Sequence, residues 1–207
     1  MSDNYIQSIK NKIDSDLVAT VFGSSVVGES LFTDHTQKSD QDWLSFSETL
    51  AQSDIPIING GYQGTMSLIA HRIQKYGGNC FGVVSSSFDD ECTHHLFKEL
   101  FTVDNAFDRL KALISVGDMY IFLPGGIGSV VEIVCTLWYI DRGFMEGKPL
   151  YFLGEYWDGF LSSILEKNLM FKDKKTPSNL YQFRKVSDLK KELKSSILRK
   201  RRNTLAS

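Results

Sequence analysis

Residues 122–134 read "FLPGGIGSVVEIV". An apolar run, Met119 to Leu123, ends at Pro124, which has no N–H to give to a strand ladder. Three glycines follow, Gly125, Gly126 and Gly128, and then apolar residues at helical spacing with one acid among them, Glu132. A strand that breaks into glycines and then a helix is the unit from which parallel α/β sheets are built. Glycines at that junction let backbone N–H groups approach a ligand, and the N-terminus of the next helix favours an anion. Gly125, Gly126, Ile127, Gly128 and Ser129 therefore form a candidate phosphate-binding turn, with Ser129 offering a hydroxyl. Glu132 has two readings from spacing alone. It is either a capping-box acid reaching back to the helix start or a carboxylate held beside the turn for work on a sugar or a proton.

Outward from this stretch the pattern repeats. Apolar strands are predicted near 18–22, 56–59, 80–84, 119–123 and 149–153, separated by segments of helical spacing at 37–52, 65–78, 104–117, 129–143 and 156–169. Asp104 is the predicted N-cap of the 104–117 helix. Alternation of this kind predicts a doubly wound α/β fold with a mainly parallel sheet and helices on both faces. Glycine turns recur at the carboxyl ends of the predicted strands. Gly23 and Ser24 close the first, and Gly60, Gly61 and Gly64, followed by Thr65, close the second. A single such turn reads equally well as a tight connection. Three at equivalent positions point to a phosphate-bearing ligand, a nucleotide. Neither the dinucleotide fingerprint nor a Walker lysine is present, so the pattern does not itself point to NAD or ATP.

The chain has 207 residues, 42% apolar and 23% charged, which suits one domain spanning 1–207, with its core over about 17–168 and a C-terminal strand and helix extension over 180–202. The net charge of −2 gives no overall attraction to nucleic acid or to an anionic membrane. No apolar run approaches the roughly 20 residues of a membrane span. The polar N-terminus lacks a secretory core, and three scattered cysteines suit reduced thiols, so a cytoplasmic setting is expected. "DDECTHH" (89–95) gathers acids, Cys92, His94 and His95, but without ligand spacing typical of a metal site, and it reads as a polar loop. "RKRR" (199–202) reads as a solvated end of a final amphipathic helix over 185–202. Cys135 reads as core, and Trp138 and Tyr139 as core or interface.

"PGGIGSVVE" resembles the PGGxGTxxE signature of the Lonely Guy family, the cytokinin-activating phosphoribohydrolases long labelled as lysine decarboxylases. "VFGSS" (21–25) is similar to that family's first strand and turn, "NGGYQGTM" (59–66) to its GGGxxGLM loop, and "KPLYFLGEYWDGFLSSIL" (148–165) to the strand and helix after the signature. The resemblance implies a Rossmann-like fold and a dimer or larger homo-oligomer. It implies hydrolysis of the N-glycosidic bond of a nucleoside 5′-monophosphate, with no metal or other cofactor. It makes Glu132 the signature glutamate, acting in catalysis, and Arg109, fifteen residues before Pro124, the family's catalytic arginine. Departures accompany the match: Phe107 and Leu110 stand where the family has histidine and lysine, Asn59 replaces the first glycine of the GGG run, Thr65 a leucine, Ser129 a threonine, Val131 an acid, and Trp138 a threonine. Glu91 falls near a substrate-binding glutamate of the family. A non-catalytic nucleotide-binding or sensing protein of the same fold is the alternative function. For association, two apolar faces are expected to be in excess, one with Phe107, Leu110, Leu113 and Ile114, the other with Val131, Val134, Trp138 and Tyr139.

Overall fold

A computed structural model of the chain describes residues 4–25, 46–88, 94–165, 179–183 and 187–195. Seven strands form one sheet: β1 (Ala19–Phe22), β2 (Ile57–Asn59), β3 (Cys80–Ser85), β4 (Glu99–Val103), β5 (Met119–Phe122), β6 (Leu150–Leu153) and β7 (Leu180–Phe183). Their order is β4-β3-β2-β1-β5-β6-β7, and every pairing is parallel. The helices are α1 (Asn4–Ile13), α2 (46–52), α3 (Thr65–Lys75), α4 (Ala106–Val116), α5 (Ile127–Asp141), α6 (Asp158–Leu165) and α7 (187–195).

Strands buried on both faces must be apolar throughout, and β1, β5 and β6 are buried at every position. One face of the sheet packs on Ile9 and Ile13 of α1, Leu113 of α4, Ile133 and Leu137 of α5 and Leu161 of α6. The other packs on Phe46 and Leu50 of α2, Ile69 and Ile73 of α3, and Leu189 and Leu193 of α7. A ring ladder runs across the first face: Phe22 stacks on Phe122 at 5.2 Å, and Phe122 on Phe152 at 4.7 Å. The doubly wound parallel sheet expected from the alternation is thus the fold, and the five expected strands lie side by side.

Two elements have no counterpart in the sequence reading. β4 is an edge strand with mixed burial, so it lacks the continuous apolar run that marks the inner strands. α1 lies in the segment read only as polar, and it is anchored by Ile9 and Ile13 alone among its fully buried residues. The expected cap Asp104 is also corrected. The N-cap of α4 is Asn105, whose side-chain oxygen accepts from the N–H groups of Phe107 and Asp108, each at 3.0 Å.

The strand order reverses at β1: β2 lies on one side of it and β5 on the other. The crevice at such a switch point is where open α/β sheets hold ligands. The turn after β1 and the turn after β5 both open there, because Phe22 and Phe122 are register partners.

Candidate active site

Pro124 and Gly125 leave β5, and α5 begins at Ile127 with Gly126 as N-cap. Ser129 is therefore the third helical residue, and Glu132 lies in the second turn. That position is too deep in the helix for a capping-box acid, which belongs at the third. Instead Glu132 Oε1 stands 3.8 Å from Nη1 of Arg109, which α4 supplies. Both side chains are largely withdrawn from solvent, 12% exposed for Arg109 and 13% for Glu132. Burial pushes the Glu132 carboxyl up to about 7 against the opposing pull of the Arg109 charge.

Arg109 lies across the carboxyl ends of β2 and β3. Its Nε donates to Val83 O at 2.9 Å, and its Nη2 donates to Gly60 O at 3.1 Å. The ring of Tyr62 lies beneath the guanidinium, with Cζ 5.1 Å from the ring centroid. A Cβ on Gly60 would collide with Nη2 of Arg109, so the glycine is what lets the guanidinium reach the backbone.

The remaining glycines divide by what surrounds them. Gly64 has φ 78 and ψ −140, open essentially to glycine alone, and a Cβ there would strike the backbone of Ser24 and Ser25. Thr65 N–H donates to Ser24 O at 2.9 Å, which ties the turn after β1 to the start of α3. A Cβ on Gly23 would press on Thr65, one on Gly61 on Val84, and one on Gly125 on the Ser129 hydroxyl and on Ser24 N. Internal packing alone gives a reason for glycine at each of these positions. Gly126 and Gly128 are different. A Cβ at either would meet nothing within 4 Å, and neither has a positive φ. Nothing in the described fold requires glycine there, and both lie at the start of α5, whose first N–H groups have no partner within the helix.

Ile127, between them, is exposed. Ser129 is buried under Gly125 and Thr65 is buried at the start of α3. The hydroxyls of both have no hydrogen-bond partner among the described residues. Ser24 is buried beside them.

Three bracing residues carried no recognised signal in the sequence. Asn59, noted only as a departure from a glycine run, is fully buried; its amide donates to Met66 O at 3.1 Å and its oxygen accepts from Gly61 N–H at 2.9 Å. Tyr156 donates its hydroxyl to Gly125 O at 2.7 Å, holding the turn after β5 from the side of β6. Tyr62 is the third, and an aromatic residue inside a glycine turn was the available clue.

Leu113 and Ile114 are wholly buried and Leu110 packs against the core, so the face assigned to α4 is not in excess; Phe107 alone of that set is open, at 84% exposed. On α5, Val131 and Trp138 are exposed, while Tyr139 and Cys135 are part-buried against the core. His94 and His95 are exposed on a short 3₁₀ turn. Asp89 to Thr93, with Glu91, lie outside the described residues, as do residues 199–202. Among the described residues no group of His, Cys, Asp and Glu side chains is placed to hold a metal, and no helix is long and apolar enough to cross a membrane.

A doubly wound parallel sheet whose switch-point crevice carries two glycine turns and a part-buried guanidinium–carboxylate pair defines a Rossmann-like α/β protein with a polar site at the strand ends. The family described as "Possible lysine decarboxylase" matches residues 66–195, more than half of the chain. The chain belongs to this family, the Lonely Guy family named above as a resemblance. It is 32% identical over 120 residues to a cytokinin riboside 5′-monophosphate phosphoribohydrolase of Rhodococcoides fascians, covering 56% of this chain and 60% of that protein. It is 26% identical over 110 residues to one of Arabidopsis thaliana, covering 53% and 47%. The chain thus spans about half the length of the curated relatives it matches. The molybdenum cofactor binding protein of Rippkaea orientalis shares the fold at a TM-score of 0.62 and 16% identity, over 89% of this chain and 99% of that one.

Proposed function

We propose that the protein hydrolyses the N-glycosidic bond of a nucleoside 5′-monophosphate, AMP or an N6-substituted AMP, to free base and ribose 5-phosphate. The observation that carries the reading is the part-buried pair of Arg109 and Glu132 beside an open glycine turn at the switch point. The names of the similar proteins from Rhodococcoides fascians and Arabidopsis thaliana supply the reaction class.

In this reading the 5′-phosphate lies against the N–H groups at the start of α5, with Gly126 and Gly128 leaving the backbone uncovered. Gly23, Ser24, Thr65 and Ser129 line the floor of the same crevice. Binding energy from the phosphate then orients the ribose, remote from the bond that breaks. As the C1′–N bond breaks, its electron pair passes to the base, which takes up a proton from solvent water, and positive charge grows at C1′. The Glu132 carboxylate stabilises that charge and accepts a proton from the water whose oxygen bonds to C1′. A carboxyl held at about 7 is matched to that proton transfer near neutrality. Arg109 keeps the carboxylate in place and offers its Nη1 edge to the oxygens of the nucleotide. No cofactor is needed for these steps.

The same reading seats a second copy of the chain on the exposed side of α5. Ile127, Val131, Trp138 and Phe144 are exposed apolar residues there, and Trp138 packs edge-on to Phe144 at 5.3 Å. Contact at this face would close the crevice mouth next to Ile127.

The deciding experiment is incubation of the pure protein with AMP and with N6-substituted AMP, followed by chromatography for free base. Base release that needs Glu132 supports the reading. Nucleotide binding without base release would favour a sensing role.

A further inference from the structure

Tyr62 is buried inside the turn between β2 and α3, and its hydroxyl is committed at both ends. It accepts from Ser85 N–H at 2.8 Å and donates to Ser85 O at 3.2 Å, at the end of β3. Phe88 packs edge-on to its ring at 5.8 Å. The ring is thus fixed to the β3 end of the sheet, with its face under the Arg109 guanidinium. The guanidinium is held in its own plane by Gly60 O and Val83 O, which take Nη2 and Nε. Those two bonds allow rotation about the line joining them, and a ring pressed against one face removes that freedom. The edge left over is Nη1, which is the edge turned towards Glu132.

We propose that Tyr62 is a positioning residue: its anchored ring sets the plane of the Arg109 guanidinium and so holds Nη1 against Glu132. This rests on the reading of Arg109 and Glu132 as the working pair, and it adds a third residue that reaches the reaction only through Arg109. The turn that carries Tyr62 also carries the glycines of the crevice, so one short segment both shapes the crevice and orients its cation. The charged group acting on Glu132 is Arg109 from α4, and the Glu132 charge in turn helps burial push up the Cys135 thiol on its own helix. Loosening the guanidinium weakens its opposing pull on the carboxyl, and the Glu132 titration rises.

The test follows the Glu132 carboxyl by ¹³C NMR across pH, alongside AMP turnover, in the unmutated protein and in Tyr62→Leu, Tyr62→Met, Tyr62→Phe and Arg109→Ala. Tyr62→Leu and Tyr62→Met fill the site without a ring face, and Met serves if Leu fails to fold. Both are expected to raise the Glu132 midpoint in the direction set by Arg109→Ala. They should lower kcat by about tenfold, the scale of one partly buried cation–π contact, with KM for AMP little changed. Tyr62→Phe keeps the face but loses the hydroxyl anchor on Ser85, so its midpoint should lie between the native one and that of Tyr62→Leu. Native titration in both Leu and Met variants would overturn the proposal, as would an unmoved midpoint in Arg109→Ala. The titration needs no turnover, so absence of base release from the unmutated protein would count against the hydrolase reading while the Tyr62 result still decides this one.

Discussion

Arg109 and Glu132 lie 23 positions apart in the sequence and on different helices, yet Nη1 of one stands 3.8 Å from Oε1 of the other. The separation is longer than a tight ion pair, and only one edge of the guanidinium faces the carboxylate. Nε and Nη2 instead donate to Val83 O and Gly60 O. A carboxylate so placed is oriented but not neutralised, and burial keeps its proton affinity high.

Glu132→Gln keeps the size of the side chain and removes its charge. Base release under single-turnover conditions is expected to fall by roughly 10²- to 10³-fold, the effect of losing one strong electrostatic contact to the transition state. AMP affinity, measured by calorimetry on the same variant, should persist. Full activity would end the catalytic assignment of Glu132.

The raised Glu132 carboxyl also sets a pH dependence. Turnover that needs the ionised form should rise with pH along a limb centred at about 7. Stability runs the other way. The folded chain holds this proton more tightly than the unfolded chain, whose ordinary value is 4.5. The stabilisation is full below about 4.5 and is lost as pH rises through about 7, on the order of 3 kcal/mol in all. Thermal unfolding of Glu132→Gln against pH should lack this component.

Two glycines should respond to substitution in opposite ways. Gly126→Val adds a side chain where nothing lies within 4 Å, at a backbone conformation open to any residue. It should cost less than about 1 kcal/mol of stability as an N-cap change but abolish nucleotide binding. Gly64→Ala puts a Cβ against Ser24 at φ 78, and should destabilise by about 1–3 kcal/mol from backbone strain alone. Denaturant melts and calorimetry on the pair separate a ligand-facing glycine from a packing one. Unchanged AMP affinity in Gly126→Val would show that the turn after β5 is only a connection.

Trp138→Glu places a charge in the exposed apolar group on α5. If a second copy covers this face, light scattering at micromolar concentration should show a dimer or larger mass for the unmutated protein and a monomer mass for the variant. A monomer in both cases would remove the interface.

The inner strands and α5 were legible because doubly buried strands must be apolar along their whole length, and β1, β5 and β6 are. β4 escaped because an edge strand carries only a partial pattern. α1 escaped because two fully buried isoleucines hold a helix otherwise polar. At the site, residue type and spacing singled out Glu132 and the three glycine turns, and the family resemblance singled out Arg109. The sequence left two readings of Glu132, and the start of α5 at Ile127 decided between them by placing the acid in the second turn.

What the chain determines by itself is therefore local: apolar runs, helical spacing, and glycines where strands end. These follow from burial and from backbone sterics acting within a few residues. Which turns face one another is a property of strand order, and nothing local encodes that β1 lies between β2 and β5. That order brings Ser24 under Gly125 and against Gly64. It lays Arg109 over the ends of β2 and β3 and sets the ring of Tyr62 beneath it. Only the tertiary structure could show that Gly60, Gly64 and Gly125 answer to packing while Gly126 and Gly128 do not, because the atoms that decide it come from segments distant in the sequence.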